Sequence, residues 1–293
     1  DAGRVRALAT SRGEIDCSAA LLALGHSARD TARALHAQGV AYEAKPFQLG
    51  LRIEHPQELV TRGQFGSGPE ADALGAASYQ LVCAADGGLR AAHSFCMCPG
   101  GRIVASVSTA GMLCTNGMSN SKHSSRWANA AVVVTLGPED FGAQPFDGVA
   151  FQESLERAFF AAGGGDYTAP AQRASDFVAG RASSGVLTSS YTFGTRPGRL
   201  DELVPPLVRD ALRRALARFD RTLPGFASDA GIFVGLESRS SGPLRMPRDR
   251  ETRRAAGFTN LYPLGEGAGW AGGIMSAALD GARAALTLLE HGV

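Results

Sequence analysis

Long apolar runs are missing from this 293-residue sequence. No stretch approaches the ~18 residues a membrane-spanning helix needs, and no signal-peptide pattern heads the residues given. Charge of one sign is missing as well. The 29 Lys and Arg stand against 28 Asp and Glu, and a net charge of +1 gives a nucleic acid or an anionic membrane surface no electrostatic footing. Cysteine is sparse: five, an odd number, do not make a disulfide framework, so a reducing cytoplasm is the expected compartment. Lysine is almost absent, and the arginine in its place fits a GC-rich coding bias as well as any function. What remains, 44% hydrophobic and 19% charged, describes a soluble globular chain of one or two domains.

The first forty residues read as strands at Val5–Ala9 and Ile15–Leu24, joined by a turn at Ser11-Arg12-Gly13. "AALLALG" is a continuous apolar run of strand length, as in a strand covered on both faces of an α/β sheet. Ser27 is placed to cap a helix from Ala28 to Gln38 that Gly39 ends. This opening resembles the end of a domain whose first part lies outside these residues. From Tyr42 to about Arg254 short strands alternate with loops: "FQLGLRIEH", "YQLVCAA", "RAAHSF", "RIVASVS", "GMLCTNGM" and "AAVVVTL". Helices are expected around Phe151–Ala162, with Phe151, Leu155, Ala158 and Phe159 as its apolar stripe, and around Asp201–Phe219. In the second, Pro205-Pro206 starts a helix with Leu207, Ala211, Leu212, Ala215 and Phe219 on one side. Strands followed by helices suggest an α+β unit.

The chain closes on "LYPLGEGAGWAGGIMSAALDG", an apolar strand, a glycine-dense loop and a helix of small side chains. Such a helix start suits an extended, phosphate-bearing ligand lying on bare backbone. A tight turn packed closely on a sheet has the same glycines.

"LALGHSARDT", "KPFQLGLRIEHPQELV", "SFCMCPGG", "TNGMS", "ESRSSGPLR" and the closing segment resemble, in order and along nearly the whole chain, a family of bacterial FAD-dependent dehydrogenases of uncharacterised substrate. That family is distantly similar to the glutathione-reductase-like flavoproteins. The resemblance implies α/β plus α+β: a partial Rossmann-like FAD domain from residues 1–40 and 256–293, with a mixed α+β substrate domain inserted at 41–255. It implies FAD as cofactor, hydride transfer to or from a small-molecule substrate, and a partner in the N-terminal segment that carries the dinucleotide fingerprint. No G-x-G-x-x-G after a strand occurs here. Carried over, Glu266 accepts from the ribityl chain, while Gly265, Gly267 and Gly269 permit close approach. Gly272, Gly273 and Ile274 lie by the flavin, and Gly25, His26 and Ser27 face the cofactor. Glu266 could equally be a capping carboxylate, and Trp270 could cover the ring or fill core. Arg29 and Asp30 read as a solvated pair.

Cys96 and Cys98 share a face in a regular strand, with Cα atoms ~6.6 Å apart, near the upper limit for a disulfide. A redox pair would need a turn, which Pro99-Gly100-Gly101 could supply. The readings left open are buried structural thiols, flavin-proximal chemistry and a disulfide couple. No metal site is expected, since C-x-C offers two ligands without a second pair. In "RIEHP", Arg52 and Glu54 share a face, as substrate contact or salt bridge, and His55 opposes them as a candidate acid or base, as is His26. Arg239, Ser240, Ser241 and Arg245 could clamp an acidic substrate, or the arginines could pair with Glu237 and Asp249. Asn116 reads as a turn residue, from its N-G dipeptide. The leading expectation is a flavoenzyme piece. The alternatives are a binding module without flavin and a thiol–disulfide protein.

Overall fold

Two runs become neighbouring strands, the alternating Phe47–Pro56 and the largely apolar Trp127–Leu136, and nearly every residue of both is buried. Continuous apolar text fits strands covered on both faces. They sit inside a seven-stranded mixed sheet, in the computed structural model that describes residues 3–291. Across that sheet the strands run Thr195–Pro197, Ala169–Arg173, Ile232–Glu237, Phe47–Pro56, Trp127–Leu136, Ala92–Cys98 and Val82–Cys83. The first two pair in parallel; Ile232–Glu237 is antiparallel to both Ala169–Arg173 and Phe47–Pro56. A separate antiparallel pair joins Gly101–Ala105 to Thr115–Ser119.

Contacts divide the chain into two compact units. The first comprises Asp1–Phe47, Leu136–Phe151 and Ser241–Val293; the second comprises Gln48–Thr135 and Gln152–Ser240 and holds most of the sheet. No described helix is long and apolar enough to cross a membrane.

Helix Pro206–Thr222 in the second unit begins as expected. Pro205 is the N-cap and Pro206 the first helical residue, where a missing N–H costs nothing. Its buried stripe is Val208, Ala211, Leu212, Ala215, Leu216 and Phe219, so Val208 takes the place expected for Leu207. Helix Asp147–Gly163 departs further. Gln152, Glu156 and Phe159 are buried on it, while Leu155 is half-buried and Ala158 exposed. The stripe has turned toward polar residues because Gln152 and Glu156 hydrogen-bond to Ser238 and Arg239. Periodicity of apolar residues carries no trace of such a buried polar face.

In the first unit the expected strand Ile15–Leu24 is broken. Ala7–Thr10 pairs with Gly13–Asp16 as a hairpin, and Ala20–Leu22 then pairs in parallel with Leu261–Pro263. Asn260 ties these ends together: its amide donates to the carbonyls of Val5 and Ser18 and its oxygen accepts from the Val5 N–H. Leu21 is 46% exposed and Leu24 39%, so "AALLALG" is covered on one face only among the described residues. The first helix runs Arg29–Ala37 with Ala28 as N-cap and no side-chain cap, which corrects the capping role given to Ser27. Arg29 is buried rather than solvated. The core of this unit gathers Ala20, Val40, Tyr42, Val149, Met246 and Leu261.

Candidate functional site

Two constellations emerge, one in each unit.

In the first unit the closing strand feeds its glycine loop. Gly265 has φ +69°, a left-handed conformation that favours glycine, and its N–H donates to Asp280 at 2.9 Å. Asp280 also accepts from Arg248 at 2.6 Å and Arg253 at 2.8 Å. Burial alone would raise Asp280, but these donors win and bring it down to about 2. Gly265 is therefore engaged by the protein itself.

Gly267 and Gly269 are needed for packing. A Cβ on Gly267 would stand 2.4 Å from the Gly25 carbonyl oxygen, and one on Gly269 2.5 Å from that of Leu244. Glu266 is half-buried, with its Oε1 3.8 Å from His26 Nδ1. Burial raises its pKa and the Lys45 charge partly opposes this. Burial and Arg245 in turn lower Lys45, while Glu266 opposes them. Gly272 and Gly273 differ from Gly265, Gly267 and Gly269: nothing lies within 4 Å of a Cβ on Gly272, and only Ser276 Oγ touches that distance at Gly273. They precede helix Ile274–His291, at whose start the Gly272 N–H donates to Ser276 Oγ at 3.2 Å and Ile274 is 90% exposed. Gly25 and Ser27 are exposed and His26 half-buried. Trp270 fills core. Its indole donates to the Met246 carbonyl at 2.9 Å and lies against the guanidinium groups of Arg245 and Arg248.

In the second unit the centre is Arg52, fully buried in the middle of its strand. Every arm of the guanidinium is engaged. Nε donates to Asn129 at 2.9 Å, Nη1 to Glu237 at 3.1 Å and to Asn116 at 3.4 Å, and Nη2 to the Cys96 carbonyl at 2.8 Å and to Cys98 Sγ at 3.4 Å. Ser240 donates to the other Glu237 oxygen. Burial raises Glu237 and Arg52 opposes the rise. Asn116 is not in a turn: Thr115–Ser119 is a strand, and the glycine after it serves the guanidinium, since a Cβ on Gly117 would stand 2.0 Å from Arg52 Nη2.

A bulge shapes the thiol pair. Asn129 opposes Cys98 while Ala131 opposes Phe95, so three steps on one strand face two on the other. The extra residue flips the face on which following side chains lie. Cys96 takes φ +47° and is exposed; Cys98 is 7% exposed. The two do not simply share a face, and the kink lies at Cys96 itself rather than at Pro99-Gly100-Gly101. Both are free thiols. Cys96 borders an open cleft of about 690 Å³ with Tyr79, Leu81, Ser94, Phe95 and Met97. Its thiol is brought down to about 6, first by the hydrogen bond with Cys98 and then, against burial, by the Arg52 charge. Cys98 goes the other way: that same hydrogen bond and its burial push its pKa up.

Of the other sequence candidates, His55 lies outside this cluster. Its Nε2 is 2.8 Å from the Phe226 carbonyl, its ring packs on Phe226, and burial lowers it to about 4. Glu54 pairs with Ser190, not with Arg52. Arg239 forms a two-bond fork with Glu156, at 2.9 and 2.7 Å, and a further bond to Ser108. Arg245 meets Glu43 at 3.6 Å, and Ser241 belongs to the first unit. Sequence reading missed Asn129, Asn116, Tyr79 and Lys45 as site residues. Only Asn116 carried a local signal, its N-G dipeptide, and that signal pointed to a turn.

With this geometry in hand, comparison with known proteins decides the family. Residues 46–240 match the family described as FAD-dependent protein, C-terminal domain-like. The chain belongs to that family. An uncharacterized protein of Clostridium beijerinckii is 42% identical over 291 residues, covering 98% of this chain and 54% of that protein. The chain thus spans about half the length of the curated relative it matches. As a member of the FAD-dependent C-terminal family, it carries the matched region from the start of its central sheet to Ser240, the whole Arg52 cluster included.

Proposed function

We propose that this chain forms part of an FAD-dependent oxidoreductase, in which the first unit supports the ribityl and flavin end of the cofactor. Membership of the FAD-dependent C-terminal family is the observation that carries this reading. The residues of the first unit fit the group at three positions. Glu266 offers a half-buried carboxylate that can accept hydrogen bonds from hydroxyl groups. Gly272 and Gly273 leave open space at a helix N-terminus, where the helix dipole favours an anion and Ser276 holds the Gly272 N–H. Gly265, Gly267 and Gly269 do not fit a direct role, because Asp280 and neighbouring backbone engage them. They shape the loop that presents Glu266. His26, 3.8 Å from Glu266, completes that edge.

Bound FAD would supply two-electron chemistry by hydride transfer with a small molecule. The adenosine and pyrophosphate need a first β–α–β unit with a glycine fingerprint, so the reading requires a preceding segment as partner. The exposed Leu21 and Leu24, and Met275, Leu279, Leu286 and Leu289 on the last helix, give such a segment an apolar surface to cover. In this reading these strands and the last helix form one edge of a Rossmann-like domain.

The test is FAD affinity of the longer protein, read from the coding sequence preceding Asp1. Glu266→Ala should weaken FAD about 10- to 100-fold, from a charge-assisted hydrogen bond worth ~1.5–3 kcal/mol. Equal affinities would remove Glu266 from the cofactor site.

A further inference from the structure

The thiol pair belongs to the second unit and can be argued without any flavin. Its geometry is specific. The extra residue in the Ala92–Cys98 strand exposes the Cys96 side chain to the cleft while the Cys96 carbonyl accepts from Arg52 inside. A non-glycine residue held at φ +47° persists only where its surroundings over-determine it, and such residues cluster at functional sites. Here the fully buried guanidinium does the holding. It reaches Cys98 Sγ as well, and its charge acts on the Cys96 thiol.

A buried phenol borders the same cleft. Tyr79 lines it and is only 6% exposed, yet its buried hydroxyl has no hydrogen-bond partner among the described residues. A buried phenol normally finds a partner. Tyr79 lies close enough to Arg52 and Cys98 for both to act on it electrostatically, and burial keeps it protonated. It is a spare donor beside a thiol pair.

We propose that Cys96 and Cys98 form a reversible dithiol–disulfide couple that reduces a small-molecule disulfide entering this cleft. The Cys96 thiolate attacks one sulfur of the substrate R–S–S–R. The substrate S–S bond breaks, the first RS⁻ leaves with the bonding pair, and a mixed disulfide forms on Cys96. Cys98 then gives its proton to that departing thiolate and attacks Cys96 Sγ. The second RS⁻ leaves, and the Cys96–Cys98 bond closes. Two electrons have passed from the dithiol to the two substrate sulfurs, and an excess of thiol reductant runs the same exchange backwards. Arg52 stabilises negative charge on the two cysteine sulfurs. The order of attack follows from position and acidity: Cys96 is exposed and ionises at about 6, while Cys98 is buried and keeps its proton.

The experiment treats the reduced full chain with hydroxyethyl disulfide and follows intact mass and thiol-mapped peptides. Wild type should lose two hydrogens, form the Cys96–Cys98 bond and retain no adduct. Cys98→Ser should hold one hydroxyethylthio group on Cys96, and Cys96→Ser should give neither product. The wild-type rate should be half-maximal near pH 6, well below the ~8.5 of an ordinary thiol. A lasting adduct on wild type, capture at half-buried Cys17 as fast as at Cys96, or a midpoint near ~8.5 would each overturn the couple.

Discussion

The guanidinium of Arg52 and the carboxylate of Glu237 face each other at 3.1 Å, with side chains 0% and 3% exposed. They are separated by 185 residues in sequence and sit on adjacent strands of the central sheet. A buried pair of this kind contributes little against an apolar replacement of both members, but breaking it strands a charge. Arg52→Met should therefore destabilise the chain by about 3–5 kcal/mol in equilibrium denaturation. A loss under ~1 kcal/mol would show that water or another cation compensates Glu237.

Gly117 and Gly272 make opposite predictions for one added methyl. At Gly117 the methyl would strike Arg52 Nη2 and the Asn129 side-chain oxygen, at 2.0 and 2.1 Å. Gly117→Ala should cost about 1–3 kcal/mol, as overpacked sites do. At Gly272 nothing lies within 4 Å, so Gly272→Ala should melt within experimental scatter of wild type. Equal melting temperatures for the two variants would contradict the packing described around Arg52.

The same openness separates fold from cofactor. Gly272→Val should leave thermal stability of the isolated chain almost unchanged while lowering the FAD content of the longer protein. Gly273 is the poorer probe, because its φ of +138° strains any side chain there. A Gly272→Val protein that fills normally with FAD would show that this helix start does not meet the flavin.

His55 gives a pH signature. Its folded pKa of about 4 lies below the unfolded value near ~6.5, so the unfolded chain binds the extra proton first. Stability from this group is complete above ~6.5 and is lost as pH falls through about 4, by roughly 3 kcal/mol in all. Comparing urea midpoints of wild type and His55→Gln across pH 4 to 7 isolates this slope from that of the carboxylates. Parallel curves would mean that folding leaves the His55 pKa unshifted.

Much of the central sheet was legible in sequence because doubly buried strands leave continuous apolar text, as in "AAVVVTL", and Pro205-Pro206 announced its helix. The features that build the thiol site were not. A single inserted residue at Cys96 reverses which side chain faces the cleft, and strand alternation alone carries no mark of a bulge. N-G at Asn116 has the composition of a turn but is shaped by a guanidinium from another strand. Glu156 was hidden on the wrong side of an apolar stripe because its partner, Arg239, lies 83 residues away. In the first unit the glycines were visible, but not which of them the protein fills with its own backbone.

The most direct measurement is FAD titration of the 293-residue chain beside the longer protein that includes the preceding segment. On the proposed reading, in which a preceding segment supplies the β–α–β unit for adenosine and pyrophosphate, the longer protein should bind FAD stoichiometrically and the chain alone at least a hundredfold more weakly. A yellow, monomeric preparation of residues 1–293 with affinity equal to the longer protein would contradict the account. So would a longer protein that takes up no FAD.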